Sequence, residues 1–396
     1  MVILVVGLTT GFYPEQSIWK SIHDAIPVLL MIITLEIFSH TIERTGIAKL
    51  ATIKLLTKTK NPEFISLFFI ILVYILSLFI NNLAAVLILL PIILLVGDAL
   101  KLRIQPLLVM IIIASNIAGA STMIGDFPNI VISRYAHASF LDFLKYMGLP
   151  LLFLMIAIIF LYLWAFPYLK QEKERLLSFE HRYHFNLIRK YFNHVEEITP
   201  NFRMVLVIVI FASMVFGFII VPVDYVFIAL IFMATVLLFS NFEDDIFDSV
   251  HLSILVWFLS LFIIAGAFAN IMKELSALIE NIHPSPFLLC VILIVLGTVI
   301  TALLNAGPST VLLLPLTISF DDMIPNNFAF WSLSLGVLAG SSLTPIGATA
   351  GPVVMAHFRD FYKREFSWKE YLKVSFPIAL LLDLGGIIYV YISLIL

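Results

Sequence analysis

The sequence predicts an all-α polytopic membrane protein with two inverted repeats, each holding a re-entrant hairpin and a discontinuous helix. Three observations lead to this prediction: an apolar composition, long segments without charge, and polar motifs that recur. Of the 396 residues, 61% are hydrophobic and 12% are charged, and the mean hydropathy is +1.08. Soluble domains have about 25% charged residues, so this chain belongs in a lipid bilayer.

Long segments of the chain contain no Asp, Glu, Lys or Arg. These segments are 64–97, 104–125, 146–169, 204–223, 225–242, 249–272, 282–320 and 323–358. A helix needs about 20 apolar residues to cross the hydrocarbon core, and 64–97 and 282–320 are too long for one straight helix. The apolar residues run on without the alternation of a membrane β-barrel, so the spans are helical.

Two polar motifs of the first half recur in the same order in the second half. Residues 80–92 match residues 304–316 at an offset of 224, which pairs asparagines and prolines. Residues 114–129 match residues 338–352 at an offset of 222, which pairs Thr, Ile and Gly. Such repetition is typical of the internal repeats of transporters.

The repeat divides the chain into a first half, 1–168, and a second half, 202–396. Between them lies the polar segment 169–201, which we interpret as a cytoplasmic linker; an amphipathic helix on the membrane face is the alternative. The predicted hairpins are 64–97 and 285–318, and the predicted broken helices are 105–133 and 327–356.

Basic residues indicate the topology, because cytoplasmic loops are enriched in Lys and Arg. Both ends of 64–97 carry them: Lys49, Lys54, Lys58 and Lys60 before it, and Lys101 and Arg103 after it. Both ends are therefore expected in the cytoplasm, as in a re-entrant hairpin. The segment 321–325 beside the second hairpin has no basic residue, which predicts that this hairpin opens outward and that the repeats are inverted.

Polar side chains at bilayer depth are costly and mark candidate binding sites. Here they gather at the hairpin tips and at the breaks of the following helices. The candidates are Asn81, Asn82, Ser115, Asn116, Thr122 and Asn129 in the first half and Asn305, Ser309, Thr310, Ser341, Ser342, Thr344 and Thr349 in the second. Close packing of helices through small residues is the alternative interpretation.

Glycines within the same motifs favour local unwinding of the helices. They are Gly119, Gly125, Gly340 and Gly347. Unwound backbone exposes carbonyl oxygens, and half-helix N-termini present N–H groups with positive dipole character. Together these groups predict a site for a small ion or anion near the midplane.

Asp126 is the one carboxylate within a broken-helix motif. Desolvation favours the protonated form of a carboxyl group, so Asp126 is a candidate for proton or sodium coupling. The alternative is that it caps a half-helix N-terminus. Glu36, within the apolar segment 25–47, is a second acid for which we favour packing toward the protein interior.

The motifs also resemble a known family. Phe-Ile-Asn-Asn-Leu-Ala-Ala at 79–85 and Ser-Asn-Ile-Ala-Gly-Ala-Ser-Thr-Met-Ile-Gly-Asp-Phe-Pro-Asn at 115–129 resemble the ion transporter superfamily, in its arsenite-permease, sodium–proton-antiporter and P-protein branch. The order of elements agrees over about residues 25–396. The resemblance implies inverted repeats with hairpins and broken helices, and a homodimer in which scaffold helices hold two transport domains apart.

The chain departs from that family at several positions. Asn81 and Asn82 stand where several cation-exchanging members have Asp-Asn, and Gly351 stands where an Asn is often found. The second hairpin reads Asn-Ala-Gly-Pro-Ser-Thr, and the Ser-Asn-Thr signature of dicarboxylate carriers is absent from both tips. These departures weaken any transfer of substrate identity.

The function expected from these observations is secondary active transport of a small inorganic ion or oxyanion, as in arsenite efflux or sodium–proton exchange. The alternatives are sodium-coupled carboxylate transport and a membrane sensor or scaffold without transport. No enzyme motif or nucleotide-binding loop occurs, so we predict no catalysis. We expect no metal centre, no nucleic-acid partner, no cofactor beyond bound sodium ions, and an integral location in a prokaryotic plasma membrane.

Overall fold

The computed structural model describes residues 15–47, 50, 52, 62–99, 104–165, 202–221, 223–239, 250–280 and 284–395. These residues form helices and the short turns between them, and no strand occurs among them. The all-α prediction is therefore confirmed. The linker 169–201, and the basic residues on which the orientation of the first hairpin rests, lie outside the described residues.

The helices of the first half follow the two predicted motifs. They are α1 (Glu15–Thr45), α2 (Pro62–Ser77), α3 (Asn82–Ala99), α4 (Ile104–Ser121), α5 (Phe127–Tyr135), α6 (Phe140–Phe143) and, after a π-helical turn at Leu144–Gly148, α7 (Leu149–Ala165). A tight turn joins α2 to α3, and a break separates α4 from α5.

The second half repeats this order after three further helices. These are α8 (Phe202–Ile220), α9 (Tyr225–Phe239) and α10 (Leu252–Glu280), followed by α11 (Pro286–Leu304), α12 (Ala306–Asp321), a 3₁₀ turn at Pro325–Asn327, α13 (Phe328–Leu343), α14 (Gly351–Tyr362) and α15 (Trp368–Ile395). A single residue joins α11 to α12, and a break separates α13 from α14.

Several of these helices are long and apolar enough to cross a bilayer. Within the described residues they are Ile18–Thr45, Ile104–Ser121, Phe140–Trp164, Pro286–Leu304 and Trp368–Ile395. Large apolar side chains point outward from α7, including Phe153 at 70% exposure and Trp164 at 81%. Extended apolar outer surface of this kind suits contact with lipid, so the chain is a polytopic membrane protein.

The two halves pack together through the same pattern of contacts. The pairs α2–α3 and α11–α12 pack on α4 and α13 of their own halves, and α4 contacts α13. The second helix of each pair also contacts the helix after the break of the other half: α3 contacts α14, and α12 contacts α5. The helices α4 and α13 therefore occupy the centre, and both are buried over nearly their whole length.

Candidate functional site

The tip of the first helix pair holds adjacent asparagines, both of which are buried. The backbone N–H of Leu83 donates to Asn81 Oδ1 at 2.9 Å and to Asn82 Oδ1 at 2.7 Å, so both amides cap the start of α3. The backbone N–H of Asn82 donates to the carbonyl oxygen of Gly125 at 3.2 Å. This bond joins the tip to the break between α4 and α5.

The side chain of Asn82 connects two further candidate residues. Its Nδ2 donates to Asn116 Oδ1 at 3.3 Å and to Asp126 Oδ2 at 3.1 Å. The other oxygen of Asp126, Oδ1, accepts from the backbone N–H of Phe127 at 2.9 Å, so Asp126 caps α5. Asp126 is 8% exposed, and no basic side chain of the described residues forms a salt bridge with it.

The break between α4 and α5 is held against the hairpin tip by a threonine and a glycine. Thr122 Oγ1 donates to the carbonyl oxygen of Leu78 at 2.7 Å and accepts from the N–H of Gly125 at 3.1 Å. A Cβ on Gly125 would lie 2.7 Å from the carbonyl oxygen of Ser77, so only glycine fits where the backbone crosses the tip.

Asn129 fixes the other side of the same break. Its Nδ2 donates to the carbonyl oxygens of Gly119 at 3.0 Å and Thr122 at 2.7 Å. Its Oδ1 accepts from Ser334 Oγ, on α13 of the other half, at 3.3 Å. Asn129 therefore satisfies unwound backbone and also joins the two halves.

The second half makes matching hydrogen bonds at the matching positions. Thr344 Oγ1 donates to the carbonyl oxygen of Ala302 at 2.7 Å and accepts from the N–H of Gly347 at 2.9 Å. Asn305 Oδ1 accepts from the N–H of Gly307 at 3.4 Å. These bonds correspond to those of Thr122 and Asn81 at the offsets found in the sequence.

The second tip differs from the first in its backbone and its partners. Asn305 is the single residue between α11 and α12 and has φ = 82°, a conformation that side-chain-bearing residues rarely adopt. Its Nδ2 donates to the carbonyl oxygen of Ile346, in the second break, at 3.2 Å. The Asn305 amide therefore binds a backbone carbonyl, whereas the Asn82 amide binds the carboxylate of Asp126.

The hydroxyl groups of the second half are mostly satisfied within their own helices. Ser309 Oγ lies 2.6 Å from Thr301 Oγ1 and 2.7 Å from the carbonyl oxygen of Asn305. Thr310 Oγ1 donates to a carbonyl oxygen of its own helix. Ser342 is different: its hydroxyl is buried at the end of α13 and has no hydrogen-bond partner among the described residues.

The remaining candidates lie at the crossing of α4 and α13 or at the second break. Asn116 Nδ2 donates to the carbonyl oxygen of Ser341 at 3.1 Å, which joins the first cluster to the second broken helix. The carbonyl oxygen of Ser115 accepts from Ser77 Oγ at 2.8 Å. Thr349 is partly exposed within the second break.

Within the described part of the chain, Glu36 forms no hydrogen bond with these clusters. Its Oε2 accepts from the backbone N–H of His251, just before α10, at 3.1 Å. Glu36 therefore anchors the start of α10.

Several polar residues that join the site were missed by sequence reasoning. Ser77 and Ser334 bond candidate residues, and Thr301 contacts Ser309. Each lies within about two turns of a motif residue, at a spacing that places residues on the same face of a helix. Polar residues four or seven positions before the motif asparagines and serines could therefore have been identified from the sequence. Thr298 and Asp383, which bond each other, were also missed.

A cavity of about 390 Å³ opens beside the first break. Its lining includes Met123 of the break, together with Arg134 and Asp224, whose Nη1 and Oδ2 atoms lie 3.2 Å apart. Ser133 Oγ donates to Tyr225 OH at 3.1 Å in the same region. These contacts fasten α5 to the start of α9.

A core that holds two helix breaks and capped helix-pair tips, surrounded by helices with apolar outer surfaces, is typical of integral membrane transporters. Comparison with known proteins agrees with this class and narrows it. The chain belongs to the CitMHS family, described as citrate transporter, whose model matches residues 1–336. The predicted transporter class and membrane location are thereby confirmed, and the bacterial transporters among its relatives indicate the plasma membrane.

The relatives also confirm the branch that the motifs indicated. An uncharacterized transporter of Mycobacterium tuberculosis is 27% identical over 97% of this chain and 89% of its own length. The magnetosome protein MamN of Magnetospirillum gryphiswaldense is 25% identical over 95% of this chain and 89% of its own length. The P protein of Sus scrofa is 24% identical over 81% of this chain and 47% of its own length.

Proposed function

We propose that this transporter moves a small inorganic ion or oxyanion by alternating access and couples the movement to a proton or sodium gradient. The observation that carries this proposal is the central polar cluster of Asn82, Asn116 and Asp126. It joins a hairpin tip to a broken helix, contains one carboxylate and no basic side chain, and bonds to the other half through Ser341.

Asp126 is the proposed coupling group. Two protein donors, the Phe127 N–H and the Asn82 amide, approach its carboxylate, and each carboxylate oxygen has further acceptor capacity for a proton or a sodium ion. Unwound backbone in transporters supplies carbonyl ligands for the same ions. Binding of a cation at Asp126 would neutralise a charge that is costly to bury.

The substrate would bind where the helix N-termini meet. The helices α3, α5 and α12 begin at the polar tips and the first break, and helix N-termini carry partial positive charge that favours anions. The unsatisfied hydroxyl of Ser342 supplies a further hydrogen-bonding group at the end of α13. An oxyanion could therefore be held by N–H and hydroxyl donors without Lys or Arg.

Alternating access would follow from inverted repeats. The crossed contacts, α3 with α14 and α12 with α5, support two units of similar architecture whose hairpins enter from opposite faces. In this proposal α1, α8 and α9 belong to a scaffold that forms a homodimer. Cysteine labelling tests the topology: positions 60 and 101 should label from the cytoplasm and position 323 from outside, whereas labelling of 60 and 101 from opposite faces would contradict the hairpin.

Transport of a carboxylate is the second candidate, and the description of the family as citrate transporter favours it. A citrate-like anion would meet the carboxylate of Asp126, with which no basic side chain of the described residues forms a salt bridge. Like charges in a low-dielectric site repel strongly. This candidate therefore requires that a cation bind beside Asp126 before or together with the anion.

Flux measurements in proteoliposomes separate the two candidates. Purified protein is tested with sodium, arsenite and citrate, each with and without imposed proton and sodium gradients. Gradient-driven flux of arsenite or sodium without citrate flux supports the leading proposal, and sodium-dependent citrate flux supports the second. Ser213→Ala, which removes an exposed hydroxyl from α8, is the control variant and should transport like the parent. Absence of flux with every solute would contradict both candidates.

A further inference from the structure

The last helix, α15, carries a carboxylate that neither repeated motif contains. Asp383 lies near the middle of the apolar span Trp368–Ile395. This helix packs against α4, α7, α11 and α13, so Asp383 belongs to the central bundle. Acidic side chains within spans are costly and are retained mainly where they function.

Asp383 contacts the second helix pair through one hydroxyl. Thr298 Oγ1 on α11 lies 2.7 Å from Asp383 Oδ1, 2.9 Å from the carbonyl oxygen of Ile294 and 3.2 Å from the carbonyl oxygen of Gly336. Gly336 has no Cβ, and one added there would overlap the carbonyl oxygen of Ile294. Because residue 336 is glycine, α13 approaches α11 closely enough for the Gly336 carbonyl oxygen to accept from Thr298 Oγ1.

The helices packed against α15 bring no charged residue to Asp383. The helices α4 and α13 contain no titratable side chain, while α11 contributes Cys290 and α7 contributes Tyr162. On α15 itself, Lys373 is about three turns away. No salt bridge to Asp383 occurs within the described part of the chain.

We propose that Asp383 reversibly binds a proton and that Thr298 serves as its hydrogen-bond partner in both protonation states. When the carboxylate is ionised, the Thr298 hydroxyl donates to Oδ1. When a proton taken from water is bound, the carboxyl O–H donates to Thr298 Oγ1, and the Thr298 hydroxyl turns to the carbonyl oxygen of Gly336 or Ile294. A hydroxyl can donate one hydrogen bond and accept others, so neither state leaves a buried donor unsatisfied.

This switch lies about two turns from the second hairpin tip. Thr298 precedes Thr301 on α11, and Thr301 Oγ1 lies 2.6 Å from Ser309 Oγ at the start of α12. The second half has no carboxylate in its own tip or break, and Asp383 supplies one from a neighbouring helix. A role in coupling rests on the proposed transport function, whereas protonation itself does not.

Infrared difference spectroscopy of the purified protein tests the protonation directly. A protonated carboxyl group has a C=O stretching band that vanishes on ionisation and shifts in D₂O. Asp383 is partly buried, and spectra are recorded between about pH 4 and about pH 9, which spans the titration expected for partly and fully buried carboxyl groups. Asp383→Asn should remove one pH-dependent band, and Asp126→Asn should leave that band in place.

Thr298→Val provides a second test that keeps the carboxyl group. Loss of the hydroxyl should shift the Asp383 band and its titration midpoint while the protein stays folded. An Asp383→Asn spectrum that retains every pH-dependent carboxyl band would overturn the proposal, as would a Thr298→Val spectrum identical to that of the parent. If the band is present but Asp383→Asn leaves proton-driven flux unchanged, protonation stands and its role in coupling is refuted.

Discussion

The two halves of the molecule share a scaffold but differ in chemistry. Each half has a threonine that ties its break to the hairpin, through Thr122 to Leu78 and through Thr344 to Ala302. The Asn82 amide of the first tip binds a carboxylate, Asp126, whereas the Asn305 amide of the second tip binds a backbone carbonyl. The shared threonine bonds maintain the geometry between break and hairpin, so the other polar side chains can differ between the two halves.

The backbone of the tips differs as well. The first turn runs over Leu78–Asn81, and none of its residues has a positive φ. The second turn consists of Asn305 alone, at φ = 82°. Positions that correspond in sequence therefore differ in strain, which costs of order 1–3 kcal/mol for a side-chain-bearing residue.

The largest effect is expected from Asp126→Asn. Asn is as good a helix cap as Asp, so α5 should keep its start, while the cluster of Asn82, Asn116 and Asp126 loses its carboxylate. Flux driven by a proton or sodium gradient should fall by at least about tenfold, the loss expected when a binding interaction of about 1.4 kcal/mol is removed. Proteoliposome flux at several pH values measures this.

The same variant also separates coupling from capping. Exchange of substrate at equal concentrations on both sides needs no net movement of the coupling ion and should survive. Thr344→Val in the second half serves as the comparison, since it removes a scaffold bond without changing charge. If Asp126→Asn keeps both its rate and its full pH profile, Asp126 is only a cap.

A large effect on stability is expected from Gly125→Ala. The added Cβ would lie 2.7 Å from the carbonyl oxygen of Ser77 and 2.8 Å from that of Gly119, and backbone cannot yield as a flexible side chain can. Overpacking of this kind costs about 1–3 kcal/mol. The melting temperature in detergent should fall, and transport should fall with it.

Gly386→Ala on α15 is the matched control for that prediction. Its Cβ would lie 3.5 Å from Leu335 side-chain atoms, an ordinary contact, so the melting temperature should hardly change. Equal melting temperatures for Gly125→Ala and Gly386→Ala would mean that the break is not clamped against the tip.

Much of this architecture could be predicted from the sequence because its signals are local. Charge-free segments overlap three of the five candidate spans of the described residues, Ile104–Ser121, Phe140–Trp164 and Pro286–Leu304. Asn, Gly and Pro within the charge-free segments predicted interruptions where the structure has them, at Asn81, Thr122–Asp126, Asn305 and Thr344–Ala350. The orientation of the hairpins depends on basic residues outside the described part and stays a prediction.

The remaining features could not be predicted because they depend on the packing of distant segments. Asp383 and Thr298 are 85 residues apart, and neither belongs to a repeated motif. The bond from Ser334 to Asn129 spans 205 residues. Similarly, the positive φ of Asn305 follows from the short connection between α11 and α12. An Asn residue permits this conformation but does not require it.

A moderate effect is expected from paired substitutions at the second tip. Asn305→Gly removes the amide but accepts φ = 82° without strain, so the protein should stay as stable as the parent while transport falls. Asn305→Ala also removes the amide but should lower stability by about 1 kcal/mol or more because Ala disfavours this conformation. Thermal unfolding and flux, measured together, distinguish strain from chemistry.

Asn81→Ala sharpens that comparison in the first half. Asn81 does not have a positive φ, so its replacement should reduce transport through loss of the Leu83 cap without the additional cost of strain. If Asn305→Gly and Asn305→Ala are equally stable, strain at the second tip is negligible. Near-normal flux from Asn81→Ala and Asn305→Ala would show that the tip amides serve packing alone.

The smallest effect is expected from the Arg134–Asp224 ion pair, which joins α5 of the first half to the start of α9 in the second half. At the offset of 222, the position in the second half that corresponds to Arg134 is Ala356, so the repeat provides no equivalent charge there. Both charged side chains are more than a third exposed, at 38% and 36%, and surface pairs contribute about 0–1 kcal/mol. Asp224→Asn should therefore change the unfolding free energy by less than about 1 kcal/mol.

If the pair nevertheless restrains α5 during transport, flux in Asp224→Asn should lose its dependence on ionic strength, because salt weakens only charged contacts. Asp322→Asn, at an exposed aspartate after α12, is the control, and a parent-like salt dependence in Asp224→Asn would show that the ion pair does not restrain α5.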